Sequence, residues 1–149
     1  MKDLQTIINF YALNYKNESL NWIDVSEMTS MRMLFLKTKY NGDISKWNVS
    51  NVETMEGMFT GSYFNQDISN WDVSKVTNMY ALFAETKRFN QDISGWDVSN
   101  VWNMHFMFYR SKKFNKDISN WNVDKVTDFR EIFKGSVIKE EYKPEKFRV

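Results

Sequence analysis

Residues 67–79 read Asp-Ile-Ser-Asn-Trp-Asp-Val-Ser-Lys-Val-Thr-Asn-Met, and residues 92–104 repeat this phrase as Asp-Ile-Ser-Gly-Trp-Asp-Val-Ser-Asn-Val-Trp-Asn-Met. Five near-copies run through the chain, and their tryptophans are 25, 24, 25 and 25 residues apart: Trp22, Trp47, Trp71, Trp96 and Trp121. A period in the twenties is typical of proteins in which each unit buries its apolar face against its neighbours. The sequence therefore predicts a repeat solenoid.

Each repeat combines two apolar periodicities. Trp71 and Val73 are two residues apart, which is the spacing of a short strand with both side chains inward. The apolar residues that follow have spacings of 3, 3 and 1, which place them on one face of a helix: Val76, Met79, Leu82 and Phe83. We therefore expect an α/β repeat solenoid of about five coils of 24–25 residues, each with a short parallel strand and a short helix.

The two ends of the chain do not share the repeat pattern. Apolar residues near the start recur at helical spacing, and Asp3 precedes them as a candidate N-cap: Leu4, Ile7, Ile8, Tyr11 and Tyr15. We expect a single domain with an N-terminal capping helix in residues 1–21, the five coils in residues 22–134, and a C-terminal cap or tail in residues 135–149.

The loops between coils repeat an asparagine and an aspartate. The aspartates are Asp43, Asp67, Asp92 and Asp117. Calcium-binding repeat proteins need glycine-rich loops, whereas Gly42 is the only glycine in these loops. We therefore expect the aspartates to accept hydrogen bonds from nearby backbone amides, and the asparagines of successive coils to form a ladder.

Composition argues against several classes of function. Lys+Arg 20 against Asp+Glu 19 gives a net charge of +1, which predicts no nucleic-acid partner. The chain has no cysteine and a single histidine, His105, so neither a catalytic site nor a cofactor or metal site is expected. Without a long apolar run or an apolar stretch after Met1, we expect no membrane span and no signal peptide.

One candidate binding surface is a column of polar residues between the inward tryptophan and valine. Its members are Asp24, Asn48, Asp72, Asp97 and Asn122. On the exposed face of a sheet this stripe would take a cationic peptide or a divalent ion. The alternative is that these residues are ordinary solvated polar side chains.

The other candidate surface is aromatic. Trp102 takes the place of Thr77 and Thr127 in the neighbouring coils, and Phe106 and Tyr109 follow at i+4 and i+7. Tyr80 and Arg130 would be neighbours by column. Exposed aromatic clusters with arginine are typical of interaction sites. The alternative is local packing between neighbouring helices.

The full phrase, Phe-Asn-x-Asp-Ile-Ser-x-Trp-x-Val-Ser-x-Val-Thr-x-Met-x-x-Met-Phe, occurs nearly unchanged in residues 64–83 and 89–108. It resembles the repeat of the BspA-like surface proteins, also described as the mycoplasma-type lipoprotein or bacterial surface protein repeat and grouped with leucine-rich repeats. The resemblance implies a right-handed, leucine-rich-repeat-like solenoid and a role at the cell surface in adhesion or host interaction. It implies no catalytic residues.

We therefore expect a non-catalytic protein–protein interaction module built on a rigid solenoid. A bacterial surface adhesin that recognises a host protein or glycan is one alternative, and a structural spacer is another. The partner would be an unidentified protein or host surface ligand, and the chain a monomer or weak oligomer. The sequence as written indicates a cytoplasmic protein, whereas the resemblance suggests a cell-surface or secreted one.

Overall fold

The computed structural model describes residues 3–149, so residues 1 and 2, where the predicted cap 1–21 begins, lie outside it. One α-helix, α1 (Leu4–Asn14), begins where the apolar spacing predicts it. Asp3 is its N-cap, because Oδ1 of Asp3 accepts a hydrogen bond of 2.8 Å from the Thr6 amide. Two 3₁₀-helices, Glu140–Tyr142 and Glu145–Phe147, follow near the other end.

The prediction of an α/β repeat solenoid is wrong. Between α1 and the 3₁₀-helices there is neither a helix nor a sheet, and the only β-pairing in residues 3–149 consists of isolated parallel bridges between single residues. These bridges join Ser30, Thr54, Asn78, Asn103 and Asp128 in sequence. The expected strand at Trp71 and the expected helix after Val76 are both replaced by turns and irregular backbone. A right-handed, leucine-rich-repeat-like coil with a strand and a helix in each repeat is therefore incorrect.

Hydrogen bonds between repeats explain why no helix forms. The Ala81 amide donates to the carbonyl of His105, and the Phe83 amide donates to that of Met107, both at 2.9 Å. In an α-helix each amide would donate to a carbonyl four residues earlier. Every second amide is instead directed to the neighbouring repeat, and intervening amides close i→i+3 turns, as from Ala84 to Ala81 at 3.1 Å. The backbone is thus a series of tight turns.

Left-handed residues recur at two positions in each repeat. Ala81 and Glu85 have φ angles of 53° and 56°, and Gly57 and Gly61 occupy the same two positions one repeat earlier, with φ of 62° and 67°. A positive φ interrupts a right-handed helix. Successive i→i+3 turns still bring residues three apart to the same side. The spacing of 3, 3 and 1 therefore fits this backbone as well as it fits a helix.

The core is a stack of aromatic rings that runs through the repeats. Parallel rings from successive repeats have centroids 5.3–5.7 Å apart: Phe35, Phe59, Phe83, Phe108 and Phe133. A second set of buried rings lies beside the first: Tyr40, Phe64, Phe89 and Phe114. The apolar columns of the sequence thus point inward and contact the next repeat.

The tryptophans tie each repeat to the one before. The indole N–H of Trp71 donates to the carbonyl of Ile44 at 3.2 Å, and that of Trp96 to the carbonyl of Ile68 at 3.1 Å. Trp22 is the exception, because α1 and its following segment precede it in place of a repeat. Its side chain is 63% exposed and approaches the Tyr11 ring, so its predicted inward position is wrong.

The predicted asparagine ladder is present. Oδ1 of Asn41 accepts from the Asn65 amide, Oδ1 of Asn65 from the Asn90 amide, and Oδ1 of Asn90 from the Asn115 amide, at 2.7–3.0 Å. At one end of the molecule α1 packs Ile8 into the core. At the other, Phe147 packs against Phe129, with ring centroids 4.7 Å apart.

Candidate functional site

The polar column forms local turns. Oδ1 of Asp72 accepts from both the amide and the hydroxyl of Ser74, at 3.0 and 2.6 Å, and Asp97 binds Ser99 at the same distances. The remaining members accept in the same way from the amide two residues on: Asp24, Asn48 and Asn122. All five side chains are exposed. One oxygen of each is therefore already engaged in a turn.

These hydrogen bonds favour the ionised carboxylates. Hydrogen bonds from Ser74 lower the pKa of Asp72, and those from Ser99 lower the pKa of Asp97. The pKa values of the loop aspartates are lowered by the serine two residues further along: Asp43, Asp67, Asp92 and Asp117. Across residues 3–149, no group of three or more histidine or acidic side chains is placed to hold a metal ion.

Acidification is expected to destabilise the fold, and the double variant Asp72→Asn/Asp97→Asn is expected to lose less stability than wild type. A lowered folded-state pKa contributes stability above the unfolded value of about 3.9, and that contribution is lost as the pH falls through the folded value. Asparagine keeps the turn, since Asn48 Oδ1 accepts from the Ser50 amide at 3.1 Å. Thermal unfolding between about pH 6 and pH 2 measures the difference; parallel curves would contradict the expectation.

Four ring side chains form a contiguous group on the outer surface of the third and fourth repeats, which we term the aromatic cluster: Tyr80, His105, Phe106 and Tyr109. The Phe106 ring lies 4.0 Å from His105, 5.0 Å from Tyr109 and 6.0 Å from Tyr80, measured between centroids. Each member is half-buried. The structure therefore brings together three of the predicted aromatic residues and adds His105.

Phe106 occupies a backbone position that glycine suits best. Its φ is 59°, and the same position holds Gly57 and Ala81 in the two preceding repeats and Glu131 in the next, all with positive φ. A left-handed conformation costs a residue with a side chain roughly 1–2 kcal/mol relative to glycine. Since residues without a ring hold the same position in the other repeats, this backbone conformation does not require one.

Arg130 lies next to the aromatic cluster, where its guanidinium contacts Asp128 and His105. Its guanidinium binds Asp128 at 2.8 and 3.0 Å, and Nη2 lies 3.4 Å from Nδ1 of His105. Hydrogen bonding from Arg130 lowers the pKa of Asp128 to about 2. Asp128 was not among the predicted site residues. The available signal was its column, in which it is the one charged residue beside Ser30, Thr54, Asn78 and Asn103.

Trp102 lies apart from the aromatic cluster. Its side chain is 48% exposed, and no ring contact joins it to another aromatic residue in the described chain. The Trp102 amide donates to the Thr77 carbonyl, and its carbonyl accepts from the amides of Thr127 and Asp128, at 3.0–3.1 Å. The helical face that was predicted to unite Trp102 with Phe106 does not exist. Trp102 instead has an exposed indole, and its backbone is hydrogen-bonded to the repeat before it and to the repeat after it.

The two predicted surfaces are separate. Among residues 3–149, neither a hydrogen bond nor a ring contact links the polar column to the aromatic cluster. The helices of this part of the chain include none with the length and apolar character needed to cross a membrane.

Comparison with family models identifies a family for this chain. A family model described as "Mycoplasma protein of unknown function, DUF285" matches twice, over residues 3–95 and residues 38–143. No curated protein matches the chain, and no solved structure matches it.

Proposed function

The chain belongs to the family described as Mycoplasma protein of unknown function, and from its surface we propose that it is a non-catalytic protein-binding module. The observation that supports this proposal is the Trp102 indole, which is 48% exposed on the same repeat as Phe106 and Tyr109. Tryptophan, tyrosine and arginine are the residues that most often dominate binding energy at protein interfaces.

The surrounding backbone favours binding because it holds these side chains in place. The Phe106 amide donates to the carbonyl of Arg130, and the Trp102 amide and carbonyl are both bonded to neighbouring repeats. Side chains whose backbone is already ordered lose less conformational entropy on association. Arg130 and His105 add polar groups at the rim of the aromatic cluster, where orientation and specificity are set.

We further propose that the repeat is of the BspA-like surface-protein kind, which rests on the phrase in residues 64–83 and 89–108. A surface adhesin would use the same exposed aromatic residues. When ligands are captured on the immobilised protein, protease treatment of the bound material distinguishes the two alternatives. A protein ligand would be lost, whereas a glycan ligand would persist.

Trp102→Ala is expected to weaken binding of the partner by about 30-fold, the effect of a residue worth about 2 kcal/mol at an interface. The control is Trp22→Ala, which removes another exposed indole, 63% accessible, at the opposite end of the repeats. Wild-type protein and both variants are immobilised and incubated with a cell lysate, and bound protein is cross-linked. The amount of the same partner protein captured by each of the three is then compared. Equal loss with Trp22→Ala, or full retention by Trp102→Ala, would contradict the proposal.

Phe106→Gly is expected to weaken binding while leaving the free energy of unfolding within about 1 kcal/mol of wild type. Relief of the left-handed conformation, roughly 1–2 kcal/mol, offsets both the greater unfolded-state entropy of glycine and the lost ring contacts. Urea unfolding measures stability and the capture assay measures binding. A variant that unfolds readily would show that the Phe106 ring is needed by the fold.

A further inference from the structure

A small cavity, which we term the basic cavity, lies where the loop after α1 meets the loops that follow the first three repeats. Its volume is about 180 Å³. Pockets for drug-sized ligands are larger, roughly 300–1,000 Å³, so this one suits a small chemical group. In the part of the chain that the structure describes, the residues that line it include three basic ones and no acidic one: Lys16, Asn17, Lys39, Asn41, Tyr63 and Arg88.

The three basic side chains of the basic cavity are not neutralised by the protein. Within residues 3–149, all ion pairs involve other residues, and no protein acceptor is hydrogen-bonded to the side chain of Lys16, Lys39 or Arg88. The Arg88 guanidinium instead lies over the Tyr63 ring, with Cζ 5.3 Å from the ring centroid. This contact positions the guanidinium but supplies no carboxylate to balance its charge. Three positive charges therefore border one small space.

Asn41 adds a hydrogen-bond donor whose orientation is fixed. Its Oδ1 accepts from the Asn65 amide at 2.7 Å, as the first member of the asparagine ladder. Nδ2 is therefore the end of the side chain that is left over, and within residues 3–149 it has no acceptor. An amide nitrogen donates hydrogen bonds and does not accept them. The polar groups of the basic cavity thus match an anion.

Backbone hydrogen bonds hold the walls of the basic cavity together. The Asn41 amide donates to the Lys16 carbonyl at 2.6 Å, which joins the loop after α1 to the loop after the first repeat. The Tyr63 amide donates to the Thr38 carbonyl at 3.1 Å, which joins that loop to the next. Arg88 is held by its contact with the Tyr63 ring. A site whose backbone is already ordered loses less entropy when it binds a ligand.

We propose that the basic cavity binds the phosphate group of a small phosphate monoester. Such a group carries a charge of about −1.5 to −2 near pH 7 and has three oxygens that accept strong hydrogen bonds. Arginine binds phosphate through paired N–H donors, and lysine binds it as a compact positive charge. A carboxylate has one charge and two oxygens, fewer than the three cations and the Asn41 amide can satisfy. The site is separate from the Trp102 surface.

NMR titrations with inorganic phosphate and with methyl phosphate, at constant ionic strength and about pH 8, where both are largely dianions, test this proposal. The side-chain NH₂ signals of Asn41 are expected to shift and saturate, because Nδ2 gains an acceptor. Methyl phosphate is expected to bind at least as tightly as inorganic phosphate. Dimethyl phosphate and acetate, which carry one negative charge, are expected to bind at least about tenfold more weakly. The NH₂ signals of Asn90, a ladder member outside the cavity, are the internal control.

Arg88→Gln is expected to weaken the binding of methyl phosphate by about tenfold or more, because it removes charge-assisted hydrogen bonds. Lys113→Gln is the matched control. Lys113 precedes Phe114 as Arg88 precedes Phe89 one repeat earlier, but Lys113 lies outside the cavity. Trp102→Ala is expected to bind methyl phosphate normally.

Lys39→Gln keeps the test independent of the contact between Arg88 and the Tyr63 ring. It removes a charge from another wall of the cavity and is also expected to weaken the binding of methyl phosphate. The proposal would be overturned by the absence of a saturable shift at Asn41, by equal affinity for acetate, or by a clear preference for inorganic phosphate over methyl phosphate. Equal losses of affinity in Arg88→Gln and Lys113→Gln would also overturn it.

Discussion

Replacement of Gly42 by alanine is expected to destabilise the protein by about 3 kcal/mol or more, the upper range for forcing atoms into a packed site. A Cβ atom at this position would overlap the carbonyl oxygen of Glu18 and the Tyr40 ring. Tyr40 Oη donates to that same carbonyl at 2.8 Å, so neither group is free to move. Chemical unfolding monitored by tryptophan fluorescence gives the change in stability.

Gly95→Ala is the matched control for Gly42→Ala. No atom lies within 4 Å of a Cβ built at Gly95, which is exposed in the fourth repeat. Its effect is expected to stay within about 0.5 kcal/mol, as for most surface substitutions. Similar losses in both variants would show that the approach of Glu18 and Tyr40 to Gly42 is not the cause.

Phe83→Ala is expected to cost about 3–5 kcal/mol, the usual range for removing a fully buried phenyl ring. Phe83 is at the centre of the aromatic stack, with the rings of Phe59 and Phe108 each 5.7 Å away and that of Phe89 only 4.0 Å away. Its loss would leave a cavity bordered by rings of three repeats. The change in the urea unfolding midpoint, at unchanged slope, measures the cost.

Phe133→Ala is the comparison at the end of the same stack. Phe133 is half-buried and contacts Phe108 on one side and Phe147 on the other, at 5.6 and 6.3 Å. A smaller loss than that of Phe83→Ala is expected, because less apolar surface becomes exposed. Equal losses of stability in the two variants would show that the centre of the stack is not packed better than its end.

The sequence predicts which residues are buried better than it predicts the backbone that buries them. Trp71, Val73 and Phe83 and their equivalents in the other repeats lie inside as expected, with the exception of the exposed Trp22. The predictions of a helix and a strand in each repeat were incorrect, because apolar spacing alone does not distinguish these elements from consecutive i→i+3 turns. Gly57, which interrupts the expected helix of the second repeat, was the local sign of a different backbone.

The candidate surfaces were predicted to different extents. Alignment of the repeats correctly placed Tyr80 near Phe106, because equivalent residues of adjacent repeats lie side by side. It failed for Trp102, whose expected contact with Phe106 assumed 3.6 residues per turn. The Phe129 and Gly135 amides, which have no acceptor within residues 3–149, were not predictable, since their directions depend on the backbone conformation and not on the residue types.

Backbone hydrogen bonds between repeats, and not helices or strands, build the middle of this protein. Scalar couplings across hydrogen bonds in ¹⁵N,¹³C-labelled protein test this directly. A coupling is expected from the Phe83 amide nitrogen to the carbonyl carbon of Met107, one repeat ahead. A coupling from Phe83 to the carbonyl of Met79, four residues earlier, would show a helix and would contradict hydrogen bonding between the repeats.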